Sequence, residues 1–171
     1  MPLKIVTIGA YGFDKDSFFQ ALLDAGVDTF CDIRRRRGMR GSAYAFANSQ
    51  NLQRRLGELG MRYVYIKELA PGREIREKQN LEDKQLHIAK RKRTTLGQDF
   101  IQAYEQECLS HFHAEEFLEK IGEAAQVVAL FCVEREPQAC HRSLAAQRLA
   151  HELGLSVEHI TPLQILADVS S

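Results

Sequence analysis

Hydrophobic residues recur along the chain in two patterns, short β-rich runs and longer segments with helical spacing. Residues 3–9 form an apolar run that ends in glycine, which predicts a buried strand. Residues 14–26 place Phe18, Leu22 and Ala25 at helical spacing, between an acidic cap and a glycine stop. The chain therefore begins with a strand followed by a helix.

The remaining elements follow the same alternation. Further strands are predicted over residues 27–33, 61–66, 127–132 and 156–160. Further helices are predicted over residues 48–60, 98–123 and 138–153, the second of these as two helices that meet near residues 111–113. The predicted fold class is thus α/β, a single domain with a mostly parallel open sheet and helices on both faces, in a three-layer Rossmann-like or flavodoxin-like arrangement.

One segment interrupts this regular order. Residues 67–97 are strongly charged and are broken by Pro71 and Gly72, with a short helix expected around residues 82–91. Such a sequence has little apolar surface to bury, so we predict a mobile insertion or lid there. No linker, repeat or low-complexity tract divides the chain, and residues 1–171 are expected to form one domain.

Composition supports a globular protein, with 44% hydrophobic and 27% charged residues. No run approaches the roughly 18 apolar residues of a membrane-spanning helix. The first residues also lack the pattern of a signal peptide, so a cytoplasmic protein without a membrane partner is expected. In the cytosol its four cysteines are expected to remain free thiols. They are Cys31, Cys108, Cys132 and Cys140.

Charge is neutral overall but unevenly distributed. Residues 34–55 carry seven arginines and no acid, and residues 90–93 are all basic, whereas residues 99–123 carry seven acids. A neutral total argues against a general nucleic-acid coat, but the first arginine cluster suits local contact with a phosphate-bearing ligand. Tyr44 and Phe46 beside it suit stacking on a base. Residues 90–93 are interpreted as a solvated face.

Chemically versatile residues follow the predicted strands at the point where each strand ends. They are Gly9 and Tyr11 after the first strand, Asp32 and Arg34 after the second, and Cys132 and Glu134 after the fourth. Ligands of open parallel sheets bind outside the carboxyl ends of the strands, so we expect these residues to line one ligand-binding edge.

The segment C-V-E-R-E-P-Q-A-C-H-R, residues 132–142, holds the densest set of such groups. Proline suits a first helical position, which would place Cys140, His141 and Arg142 in the first turn of the helix. The free N–H groups and dipole of a helix start favour an anion and also a thiolate. We therefore expect Glu134, Cys140 and His141 to be catalytic, and Arg142 to clamp a phosphate or carboxylate together with Arg34.

These motifs resemble a known family. The T-I-G start, C-D-I-R after the second strand and C-x-E-x-x-P-x-x-C-H-R after the fourth are similar to the domain-of-unknown-function family numbered 488, and H-I at residues 159–160 fits as well. The resemblance covers nearly the whole chain and implies a compact α/β domain of the prokaryotic cytosol. The family residues that it carries onto this chain are Gly9, Asp32, Arg34, Cys132, Glu134, Cys140, His141 and Arg142.

Other roles for the cysteines stay open. Simple packing fits Cys132, at the end of an apolar strand, better than it fits Cys140. A zinc site built from these two with His141 and His159 is conceivable, but the gap between the cysteines matches none of the short spacings of structural zinc motifs. No metal and no cofactor are therefore expected. A thiol redox pair is a further alternative.

The leading hypothesis is an enzyme, a hydrolase or transferase, that acts on a phosphate-bearing ligand such as a nucleotide or a nucleic acid. The alternative is a non-catalytic module that binds nucleic acid or a protein, and a thiol redox protein comes third. The enzyme leads because acid, thiol, imidazole and guanidinium groups converge on one edge. Binding alone would need the arginines but would not need Glu134 or Cys140.

Overall fold

Five strands form one sheet in the computed structural model, which describes residues 3–39, 41–86 and 96–162. The strands are β1 (Lys4–Ile8), β2 (Thr29–Asp32), β3 (Arg62–Tyr65), β4 (Val127–Phe131) and β5 (Val157–Ile160). Their order in the sheet is β3-β2-β4-β1-β5, and every pair of neighbours is parallel. The predicted parallel sheet is confirmed.

Six α-helices connect or flank these strands within the described residues. They are α1 (Lys15–Asp24), α2 (Ser49–Glu58), α3 (Arg73–Gln85), α4 (Gln98–Glu107), α5 (Ala114–Ile121) and α6 (His141–Leu153). The local sequence explains their ends: Asp14 and Ser17 exchange hydrogen bonds in a capping box at the start of α1. Gly154 ends α6 in the left-handed conformation that glycine adopts without strain. None of the helices in the described part of the chain is long and apolar enough to cross a membrane.

The helices cover both faces of the sheet, so the three-layer α/β architecture is confirmed. Along β4, Val128 and Leu130 point to one face, whereas Ala129 and Phe131 point to the other. Helices α3 to α6 pack on the first face, and α1 and α2 pack on the second. The chain moves one way across the sheet from β1 to β3 and then turns back. Because parallel crossovers share one hand, that reversal places the later helices on the opposite face.

The charged segment after β3 differs from its prediction. A helix was expected around residues 82–91, but α3 already begins at Arg73, and residues 87–95 lie outside the described residues. Gly72 is the N-terminal cap of α3, so the Pro-Gly pair precedes the helix. The buried positions of α3 have helical spacing but include only one apolar side chain, which hides the helix from a hydrophobic pattern. They are Ile75, Gln79 and Asp83.

The start of α6 also lies further along the chain than predicted. The helix was expected from residue 138, but Pro137 begins a short 3-10 turn, Pro137–Ala139, and α6 starts at His141. Cys140 is the N-terminal cap residue, in extended conformation with φ of −135°. Cys140 therefore precedes the first turn of α6 instead of lying within it.

We expect α3 to exchange its amide hydrogens faster than α6, which has the same length. Three of the thirteen residues of α3 are buried, against seven of thirteen in α6. Opening α3 would thus expose little apolar surface and cost little free energy. Hydrogen exchange followed by mass spectrometry measures the difference. Equal protection of the two helices would contradict a lid role for α3.

Candidate functional site

A cavity of about 430 Å³ lies at the carboxyl edge of the sheet. The segments that follow β1, β2 and β4 form one side of it, and α3 and α4 form the other. Five of the residues expected at this edge line the cavity: Tyr11, Arg34, Cys132, Glu134 and His141. The other four, Gly9, Asp32, Cys140 and Arg142, do not line the cavity.

Two thiols, an imidazole and a carboxylate lie together where β4 leads into α6. The Sγ atom of Cys132 is 3.6 Å from Nδ1 of His141, and Sγ of Cys140 is 3.8 Å from the same nitrogen. The Cys132 thiol also lies 3.6 Å from Oε2 of Glu134, to which it donates. All four side chains are buried. The fold brings these four side chains together, and their catalytic roles stay predictions.

The backbone just after β2 orients the imidazole of His141. Nε2 of His141 lies 2.8 Å from the carbonyl oxygen of Ile33, just after β2. A carbonyl only accepts hydrogen bonds, so Nε2 carries a hydrogen and Nδ1 faces the sulfurs. This contact was not visible in the sequence, since it joins residues far apart along the chain.

Electrostatics favour a thiolate at Cys140. Burial opposes ionisation, but the neighbouring Cys132 side chain and the charge of His141 outweigh it and hold the pKa of Cys140 well below its usual range. For His141 burial again opposes the charged form, but the neighbouring thiolate and the Ile33 carbonyl raise its pKa. Cys140 is only 1% exposed, however, and the thiol on the cavity wall is that of Cys132.

The Arg142 guanidinium holds the loop between β4 and α6 in place. It has no exposed surface, and its Nη1 and Nη2 donate to the carbonyl oxygens of Glu134 and Arg135 at 2.5 and 3.2 Å. Its Nε donates to Oγ1 of Thr7 at 3.4 Å. Direct contact between Arg142 and a ligand stays a prediction, because the structure shows the guanidinium engaged by protein oxygens.

Arg34 lines the cavity with its charge already paired. Its Nε and Nη2 bind the two carboxylate oxygens of Asp32 at 2.9 and 2.8 Å, and its Nη1 donates to the Ala47 carbonyl. The Tyr63 hydroxyl donates to the same carboxylate at 2.6 Å. The buried Asp32–Arg34 pair thereby shapes the cavity wall. Because protein oxygens engage the guanidinium groups of both Arg34 and Arg142, the predicted joint clamp on one anion does not follow from this geometry.

Three other arginines give the cavity its positive charge. Arg35 and Arg36 come from the loop after β2, and Arg76 comes from α3. Among the ion pairs that join described residues, none includes these three. Burial and the nearby guanidinium groups of Arg36 and Arg35 lower the pKa of Arg76. The sequence analysis placed Arg35 and Arg36 in an arginine cluster without giving either a definite role. It did not predict that Arg76 reaches the cavity, and the only indication is that Arg76 lies in the charged segment after β3.

Three of the four residues weighed for a zinc site meet. The ligand atoms of Cys132, Cys140 and His141 all lie within 4.8 Å of one another. His159 lies apart on β5, where its Nδ1 is 2.6 Å from Oγ1 of Thr7. Spacing along the chain disfavoured such a cluster, but the folded loop between β4 and α6 brings its members together.

Comparison with protein families gives one match. The model described as "Domain of unknown function DUF488" matches residues 14–149, which include β2 to β4 and most of α6. The chain belongs to this family. The matched range holds Asp32, Arg34 and the four clustered residues, but it excludes Gly9 and Tyr11. Neither the curated proteins nor the solved structures gave a match.

We expect Gly9→Ala to destabilise the protein. An added Cβ would lie 1.9 Å from the Glu134 carbonyl oxygen and 2.8 Å from Nη1 of Arg142. Relief would require moving the backbone that Arg142 binds, a cost of about 1–3 kcal/mol typical of overpacking. Urea unfolding measures the change. Gly57→Ala in α2 is the control, because nothing lies within 4 Å of its added Cβ. A Gly9→Ala variant as stable as the wild type would contradict the tight approach.

Proposed function

We propose that this chain is an enzyme, a hydrolase or transferase, that binds a phosphate-bearing ligand in the cavity at the carboxyl edge. The observation that carries the proposal is a cavity that joins two kinds of surface. Arginines form part of its wall, and Glu134, Cys132 and His141 form another part. A ligand held by the first surface would meet reactive groups on the second.

Three arginines that form no ion pair with the residues described support an anionic ligand. The positively charged guanidinium groups of Arg35, Arg36 and Arg76 repel one another. This repulsion contributes to the lowered pKa of Arg76. An anion between them would replace repulsion by charge-assisted hydrogen bonds, and guanidinium groups match the geometry of phosphate oxygens. The positive wall thus favours phosphate over a neutral ligand.

The size and lining of the cavity support a nucleotide or a nucleic-acid end or base. Its volume of about 430 Å³ lies in the range of small-molecule sites, roughly 300–1,000 Å³. Tyr11 lines it, is only partly buried and offers an aromatic ring on which a base can stack. A phosphate on the arginines and a base on a ring would together fill such a space.

Glu134 is the group best placed to move a proton. It is 4% exposed and lies on the cavity wall beside the Cys132 thiol. A carboxylate in such a position can take a proton from an attacking group and return it to a leaving group. The four cysteines form no disulfide with one another, which fits the cytosol, and we infer the cytosol as the compartment.

A non-catalytic binding module is the alternative. It would use the same arginines, but it would have no use for a buried carboxylate beside two thiols and an imidazole. Burying such groups costs free energy unless each is compensated, so a fold that keeps them implies a chemical use. The enzyme hypothesis is therefore the stronger of the two.

We expect Glu134→Gln to abolish turnover while ligand affinity is kept or rises slightly. The amide keeps the shape of the side chain and removes a negative charge near the anion, and loss of a general acid or base costs ~10²-fold or more in rate. A panel of nucleotides, single strands and duplexes is tested for retention and for product formation. The control is Glu136→Gln, a more exposed glutamate two residues further on. Wild-type protein that retains a ligand but alters none of the panel would sink the enzyme hypothesis.

We expect Arg76→Gln and Arg36→Gln to weaken binding of the phosphate-bearing ligand at least tenfold, about 1.4 kcal/mol. Each variant removes one charge from the wall, whereas truncating Arg142 would instead release the loop that it holds. Arg55→Gln is the control, because Arg55 is exposed on α2 and pairs with Glu58. Retention measured at several salt concentrations should also show a weaker salt dependence for the cavity variants. Unchanged affinity in both would remove the anion site.

A further inference from the structure

We propose that Cys132, Cys140 and His141 bind one transition-metal ion of the zinc class, with the fourth coordination position towards the cavity and Glu134. The site itself depends only on the clustered side chains. The use of the ion in catalysis rests on the proposed function, and the experiments below separate the two.

The distances within the cluster fit tetrahedral coordination. Bonds of about 2.3 Å to sulfur and about 2.0 Å to nitrogen would separate a sulfur and a nitrogen ligand by about 3.5 Å in a tetrahedron. The two thiols lie 3.6 and 3.8 Å from Nδ1 of His141. No two of the three ligand atoms are more than 4.8 Å apart. An ion therefore requires only small movements of side chains already in place.

The imidazole is held in the orientation that a metal needs. Its Nε2 hydrogen is donated to the Ile33 carbonyl, which turns Nδ1 towards both sulfurs. Histidines that bind metals commonly donate their other nitrogen to a carbonyl or carboxylate in this way. The backbone contact thus keeps a hydrogen on Nε2 and fixes the direction of the ring.

A hydrogen-bond network alone explains the cluster less well. Nδ1 carries at most one hydrogen, yet two sulfurs lie at nearly equal distances from it. Cys140 stands at the N-terminal cap of α6, but its side chain makes no capping hydrogen bond. One metal ion would contact both sulfurs and the nitrogen at once.

The surrounding structure holds the ligands rigidly. Cys132 follows directly after β4, and His141 begins α6, so both stand at the ends of regular elements. Arg142 fastens the loop between them to the carbonyls of Glu134 and Arg135. Such preorganisation reduces the conformational entropy that metal binding would otherwise cost.

The ligand types select the metal. Thiolate and imidazole favour zinc and related ions over magnesium or calcium, which prefer oxygen. Two thiolates would also balance a divalent charge in this buried place. Structural zinc sites usually have four protein ligands, whereas three protein ligands with an open position are typical of catalytic zinc.

The open position would give the proposed enzyme its nucleophile. Zinc lowers the pKa of bound water to about 7. Glu134 would take the proton from that water, and the remaining hydroxide would form a bond to the electrophilic atom of the ligand. The bond to the leaving group would break as Glu134 passes the proton to it. Under the proposed function, this assigns hydrolysis rather than group transfer.

Cobalt(II) is the probe for the site. Reduced protein is stripped with a chelator and titrated with Co²⁺ alone, without any phosphate-bearing ligand. We expect one ion per chain, with tetrahedral d–d absorption and a thiolate-to-cobalt charge-transfer band, and displacement by Zn²⁺. Cys132→Ser and Cys140→Ser should each lose at least tenfold in affinity. Cys108→Ser, another buried free cysteine, should bind as the wild type does.

A second measurement needs no variant and covers the case in which a substitution prevents folding. Zn²⁺ should protect Cys132 and Cys140 of the wild-type protein from alkylation, as mapped by mass spectrometry. The absence of cobalt absorption in reduced wild-type protein would overturn the metal site. A cobalt spectrum that neither serine variant changes would overturn it equally. So would alkylation of Cys132 and Cys140 that zinc does not slow.

The outcomes separate the site from its use. Glu134→Gln should retain the cobalt spectrum, because Glu134 lies outside the three ligands, even where it loses turnover. Metal binding without turnover of any ligand would support the site and remove the proposed enzyme. If protein stripped of metal turns over a ligand and added zinc does not raise the rate, the enzyme would be supported and the catalytic role of the ion overturned.

Discussion

The site depends above all on one buried guanidinium, that of Arg142. It binds the carbonyls of Glu134 and Arg135 and thereby fixes the path of the chain between the end of β4 and the start of α6. Gly9 allows this path, because any side chain there would occupy the space of the Glu134 carbonyl. With the loop so held, thiols at its two ends approach the same imidazole nitrogen. A buried cation bound mainly by carbonyl dipoles is costly to desolvate. Its full burial therefore requires that these carbonyls stay in place around it.

A second buried arginine, at the end of β2, shapes the same side of the cavity by a different means. Arg34 is neutralised by Asp32 in a two-pronged ion pair, and its guanidinium also stacks over the ring of Phe131 at 4.7 Å. Removing either partner of such a pair leaves an uncompensated charge, so the pair fixes the chain at the end of β2. The imidazole of His141 depends on the same stretch, because it donates to Ile33 between the two partners. The two arginines thus fix the chain just beyond the ends of the neighbouring strands β2 and β4.

The sequence predicted the elements of the fold better than their arrangement. Each strand showed as a β-rich run, and the parallel order of neighbours followed from the alternation with helices. The position of β4 between β1 and β2 depends on contacts between distant segments, which no local pattern records.

For the site, the gathering of Cys132, Glu134 and His141 at one edge followed from strand ends. The engagement of Arg142 by carbonyls did not, because an arginine that binds an anion and one that braces a loop look the same in sequence. Arg76 was missed because α3 buries mostly polar residues.

The charge of the cavity links its wall to the helix that covers it. Arg76 belongs to α3, whereas Arg35 and Arg36 belong to the loop after β2, and these cations lower the pKa of Arg76 across the cavity. Coulomb repulsion between the two sides raises the free energy of their close approach, and an anion between them lowers it. The same helix buries few residues, so its packing contributes little to resist such a force. Closure of α3 over the cavity stays a prediction; an anion between the two sides would favour it, and closure would exclude water from around Glu134.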